Sequence, residues 1–130
     1  MKVMMIGKAT KDTEAGVPPT QEAMLAMHQF SEEMAKAGVL VDLAGLTPTS
    51  RGVRVRYHKS KTTVIDGPFA EAKELIAGYF IIEVKTMAEA VEWAKRAPFE
   101  EGAECELRPL FSAEDFDVPG EAEERAKKAK

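Results

Sequence analysis

Asp66, Glu71, Lys73 and Glu74 place three carboxylates and an amine in one short connection, Asp66-Gly67-Pro68-Phe69-Ala70-Glu71-Ala72-Lys73-Glu74, between two apolar segments. Gly67 and Pro68 shape a backbone path that few other residues accept, Phe69 anchors it in apolar surroundings, and loops on a rigid scaffold are where binding and catalytic groups concentrate. A carboxylate partly buried in a cleft has its pKa raised toward the working range of a general acid or base. Asp66 and Glu71 are therefore candidates for proton transfer, with Lys73 as electrostatic stabiliser and Glu74 as a ligand-binding group. The structural alternatives are as concrete. Asp before Gly commonly bonds its own backbone two positions on. Pro68 suits the first position of a short helix, on which Glu71 and Glu74 share a side and Lys73 completes a solvated ion-pair cluster worth ~0–1 kcal/mol per pair.

Six other residues carry groups to weigh. On a helical projection of about 100° per residue His28 falls off the seam of Ala23, Met27, Phe30 and Met34, beside Gln21, Met24 and Ala35. There it is either an accessory base at a cleft or a surface histidine. Arg54 and Arg56 alternate with Val53, Val55 and Tyr57, so both guanidinium groups share one strand face and either hold a carboxylate or phosphate or are simply solvated. Tyr79 either aims its hydroxyl at the same cleft or packs as an aromatic. Cys105 has no activating neighbour in sequence and reads as an inert thiol. His58 lies in a lysine-rich turn. The two histidines and one cysteine make no metal-ligand motif, so no metal site and no cofactor is expected.

The elements that position these groups follow from periodicity. Val3 to Ile6 is a short apolar run suited to a buried strand, and Gly7 to Pro19 reads as a loop. Apolar residues at spacings of four and three predict a helix over about 20–37, with the seam Ala23, Met27, Phe30, Met34 and Ala37 in the core and Gly38 as the stop. An extended stretch covers 39–46. Alternation then predicts a half-buried strand over 53–57, with 62–65 returning as its hairpin partner. Gly78 to Val84 is apolar on both faces. Thr86 and Glu89 form a capping box for a second helix that Pro98 ends, and a last strand fits 104–110.

Composition narrows the class. The chain has 130 residues, 45% hydrophobic and 31% charged, which is ordinary for one globular domain. A domain over 1–117 followed by a charged tail over 118–130, helical or disordered, is the expected organisation. A net charge of -4 argues against a general nucleic-acid binder. No apolar run reaches the ~20 residues of a membrane helix. A lone cysteine and an N-terminal apolar run too short for a signal peptide make the cytoplasm the expected compartment.

The order strand, helix, strands, strand, helix, strand is that of an α+β, ferredoxin-like split βαβ with an inserted β-hairpin. Two helices cover only one face of such a sheet. The apolar second face of the 78–84 strand therefore calls for a homodimer, sheet packed on sheet about 10 Å apart, with clefts for a small-molecule ligand.

The loop from Asp66 to Glu74, followed by Gly78-Tyr79 and a strand, resembles the DGPF loop of the YCII-related protein family, whose form is close to D-G-P-F-x-E-x-K-E. Glu33-Met34-Ala35-Lys36-Ala37-Gly38-Val39-Leu40, Ala44-Gly45-Leu46-Thr47-Pro48 and Arg108-Pro109-Leu110 extend the likeness over roughly residues 1–117. The resemblance implies a ferredoxin-like subunit paired as a dimeric α/β barrel. For function it implies a small enzyme with a His and Asp pair, akin to chloromuconolactone dehalogenases, or a module linked to alternative sigma factors, whose genes often accompany the DGPF branch. Asp66, Glu71, Lys73 and Glu74 match the signature by position. The His of the pair is not matched by motif, since His28 falls inside the first helix. Two readings follow: acid/base chemistry on a small molecule in a dimer cleft, or a non-catalytic sensor in which the loop is structural.

Overall fold

The structure, a computed structural model, describes residues 1–70 and 74–116. Glu71, Lys73 and the charged tail expected over 118–130 lie outside the described residues. Strand β1 (Lys2–Lys8) leads through a one-turn helix α1 (Lys11–Glu14) to α2 (Gln21–Lys36) and β2 (Leu40–Gly45). A ribbon of β3 (Val53–His58) and β4 (Lys61–Asp66) follows, then β5 (Ile76–Glu83), α3 (Met87–Arg96) and β6 (Cys105–Pro109). Among the described residues, β2-β5-β1-β6 form one sheet in that order, antiparallel at every pair, and β3-β4 form a second. The sheet order and the two crossing helices are those of a ferredoxin-like α+β fold.

Local sequence explains the helix ends. Thr20 Oγ1 accepts the Ala23 N–H at 3.0 Å to open α2, and Gly38 closes it at a φ of 75°, a region glycine enters without strain. Thr86 Oγ1 accepts the Glu89 N–H at 3.1 Å. The Glu89 carboxylate reaches one residue further back than a capping box requires and accepts the Lys85 N–H at 3.0 Å. Within the expected loop of 7–19, Thr10 and Thr13 cap each other and wind α1, a turn with no buried face.

One core holds the sheet to α2 and α3. Val3, Met5, Phe30, Met34, Phe80, Ile82 and Ala90 cluster there, and Phe30 stands edge-on to Phe80 and Trp93 at centroid distances of 5.7 and 6.4 Å. Burying the larger of these side chains stabilises by about 1.5–3 kcal/mol each. Ala37, expected on the seam, is exposed instead because α2 has already ended at Lys36 and Ala37 serves as its cap.

On the opposite face Met4 pairs with Ile81 and Ile6 with Tyr79. Ile6 is buried and the other three are half-buried, without a helix over them. The ribbon departs most from expectation. Its first strand is exposed throughout, with Val53 at 60%, Val55 at 43% and Tyr57 at 81%. Alternation there is genuine, but among the described residues no helix or sheet lies against either face. No helix among the described residues is long and apolar enough to cross a membrane.

Candidate functional site

A cavity of about 520 Å³ opens between the first half of α2 and one end of the sheet. It exists because three glycines stand side by side across the strands, Gly45 paired with Gly78 and Gly78 with Gly7. Each serves differently. A Cβ on Gly78 would come 2.9 Å from the Ala44 carbonyl oxygen, so the close approach of β2 and β5 requires glycine. A Cβ on Gly7 would come 3.3 Å from the Phe99 ring, which lies against the sheet there. A Cβ on Gly45 would meet nothing within 4 Å, and its place is cavity.

Ala23 and Met27 of α2, with Leu43 and Phe80 of the sheet, make the walls apolar. Lys8, Thr10, Thr13, His28, Ser31 and Glu100 also border the cavity. An apolar body of this size with a few polar groups around it is the usual form of a small-molecule site.

His28 is on the rim, as its position off the core seam predicts, next to exposed Met24. Its Nε2 lies 3.0 Å from Glu32 Oε1 one helical turn on. Ser31 donates its hydroxyl to the His28 carbonyl at 2.8 Å. Tyr79 also borders the cavity, but alternation along β5 turns its ring to the face opposite Phe80, so the expected hydroxyl in the cleft is not found within one chain. Lys8 sits 3.3 Å from Glu106, which also takes a bond from Arg108 at 3.2 Å. The Arg108 and Lys8 cations hold the Glu106 carboxyl below the usual carboxylate range.

The loop after β4 has a different surrounding. Gly67 donates its N–H to the Gly52 carbonyl at 3.0 Å, and any side chain at 67 would collide with the Thr49 carbonyl. The Phe69 N–H goes to Thr49 Oγ1 at 3.0 Å. Thr49 in turn donates its hydroxyl and its N–H to the two oxygens of Glu14, at 2.6 and 3.0 Å. The Gly67–Pro68 bond is cis, and the Arg54 guanidinium stacks 3.8 Å from the centroid of the Phe69 ring. The anchoring expected of Phe69 is therefore a cation–π contact and one backbone bond.

Several expectations change here. The Asp66 carboxylate does not bond its own backbone two positions on, because that position is Pro68, which has no N–H. Pro68 to Ala70 are not helical, the Phe69 N–H being taken by Thr49. Asp66 and Glu74 are exposed, and neither they nor Arg54 and Arg56 border the cavity. Of the described candidate groups, the structure brings His28 to the cavity rim, leaves the Tyr79 ring on the other face of the sheet, and keeps Asp66, Glu74 and the ribbon arginines apart from the cavity. Glu14 and Thr49, which hold the loop, gave no signal in sequence, since they lie 35 residues apart. Cys105 is half-buried with its thiol pushed up by burial, in line with an inert role, and His58 is exposed beside the ribbon turn. Among the described residues no three His, Cys, Asp or Glu gather as a metal would require.

The chain matches the YCII-related domain over residues 1–114. It belongs to the YCII-related family. In this YCII-related chain the match takes in every described strand and α-helix. The chain is also 32% identical over 75 residues to the "Uncharacterized protein R00369" of Rhizobium meliloti (strain 1021), across 58% of its own length and 60% of that relative's.

Proposed function

We propose that this YCII-related protein binds a small, largely apolar organic molecule in the cavity beneath α2, with His28 as the group that exchanges protons with it at the rim. The observation that carries the reading is the glycine floor. Gly45 leaves space where any other residue would put a side chain, and the cavity is walled by apolar groups with polar ones around its mouth. The sheet face with no helix over it, where Met4, Tyr79 and Ile81 stay half-buried, supports pairing into a homodimeric α/β barrel of the DGPF branch, a cytoplasmic protein in this reading. Asp66, Glu71 and Lys73 enter the chemistry only if pairing carries the loop of one subunit to the cavity of the other.

Gly45→Val tests the site. Titration with the fluorescent amine phenylnaphthylamine should give saturable binding to the wild type and at least ~10-fold weaker binding to Gly45→Val, with the melting temperature little changed. An unchanged affinity, or no saturable binding to the wild type, would sink the proposal. A second reading, a non-catalytic sensor linked to sigma-factor regulation, is favoured by the structural ties on the DGPF loop. It expects His28→Gln to bind the same probe undiminished and every candidate substrate to be returned unchanged.

A further inference from the structure

Among the described residues, the β3–β4 ribbon is the part of the fold left least covered. Of its twelve strand residues all but Ile65 are exposed. Register sorts the side chains: Val53, Val55, Tyr57 and Val64 share one face, and Arg54, Arg56, His58 and Lys61 the other. Apart from Phe69 on Arg54, no described residue is seen stacking on the ribbon, and a two-stranded ribbon with so little cover is at best marginal in water. What covers this one must be present whenever the chain is folded, which points to another copy of the same chain rather than an occasional partner.

Charge points the same way. Between Asp42 and Asp66 there is no carboxylate, while Arg51, Arg54, Arg56, Lys59 and Lys61 fall within this stretch, all exposed. Ion pairs among the described residues involve none of the five. Removing these five cations from the count leaves 13 Lys and Arg against 22 Asp and Glu in the rest of the chain. A cationic ribbon and an anionic body are complementary between copies, and like charge keeps two ribbons or two bodies apart. A nucleic acid would use the basic face but not four large apolar side chains.

We propose that the ribbon is an arm that docks on the body of a second copy, burying its valine and tyrosine face there, while its arginines and lysines, on the other face and at the turn, draw it to the partner's net negative charge. This rests on the paired state proposed above and adds what the pairing is made of. Sedimentation velocity on the full chain tests it with two variants, Val55→Asp with Val64→Asp, and Arg56→Glu with Lys59→Glu and Lys61→Glu. The apolar-face variant should weaken the dimer at least ~30-fold. The charge variant should weaken it in dilute buffer and much less in about 0.5 M NaCl, where exposed charges are screened. In the wild type, amide protection at Val55 and Tyr57 should rise with protein concentration, a readout that needs no variant. A dimer unmoved by either variant, with ribbon protection independent of concentration, overturns the arm while leaving the paired subunit intact. A wild type that stays monomeric at every concentration removes both. An intact dimer whose charge variant instead loses a mobility shift on duplex DNA also overturns it, in favour of nucleic acid.

Discussion

Phe80 and Ile82 of β5 lie under two helices, Ile82 at 0% exposure, while Val53 and Tyr57 of β3 stand at 60% and 81%. The residue types are alike and the means of support are opposite. The four-stranded sheet is held by apolar burial, with Val3, Met5, Met34 and Ile82 sealed in one cluster. The ribbon and the loop that follows it are held by polar and close-contact ties: Gly67 to Gly52, Phe69 through Thr49 to Glu14, and Arg54 over Phe69. An apolar residue in a strand stabilises only as far as another layer removes it from water.

The strongest test of that contrast is truncation on both sides. Met34→Ala should cost about 2–5 kcal/mol by urea unfolding, since it opens a void in a sealed core. Val53→Ala, measured where the chain is dilute, should fall within about 0.5 kcal/mol of the wild type. Equal losses would break the comparison. Next in size is Gly67→Ala, which forces the loop away from the Thr49 carbonyl and should cost about 1–3 kcal/mol, as overpacked sites do. Thr49→Val removes the hydroxyl between Phe69 and Glu14, and should cost about 1–3 kcal/mol, because it leaves partly buried partners unmatched. Exchange of the Phe69 amide, faster in Thr49→Val and unchanged in Val53→Ala, would locate the effect in the loop.

Sequence made the first of these regions readable and the second only in part. Helix α2 carries its own limits in Thr20, the three-and-four spacing and Gly38, and that same spacing set His28 aside from the core, where it meets the cavity rim. Alternation in Val53 to Tyr57 identified a strand, but it says which residues share a face and not whether anything lies against it. The loop misled because its ties are long-range. Asp66 offered a local bond that Pro68 cannot complete, while the bonds that form reach back to Thr49 and Glu14. The cavity floor was invisible for a related reason: Gly7, Gly45 and Gly78 become neighbours only once the register of β1, β2 and β5 is known.

The smallest expected effect separates the two regions by their charges. On the sheet, Glu106 lies between Arg108 at 3.2 Å and Lys8 at 3.3 Å, and these cations hold its carboxyl below the ordinary 4.5. A carboxyl whose folded value lies below its unfolded value contributes stability that is present above the unfolded value and lost as pH falls through the folded one. Glu106→Gln should therefore lower the melting temperature slightly near neutral pH, and the gap to the wild type should close as the pH drops below 4.5. High salt should narrow it too, because the half-exposed carboxylate is screened. On the ribbon, Arg56 has no ion pair among the described residues. In dilute solution Arg56→Gln should show no such pH-dependent gap. A gap that appears for Arg56→Gln only as the protein is concentrated would mean that its carboxylate partner arrives with another chain, and the contrast between an inwardly held sheet and an outwardly held ribbon would be sharpened by the least perturbing change.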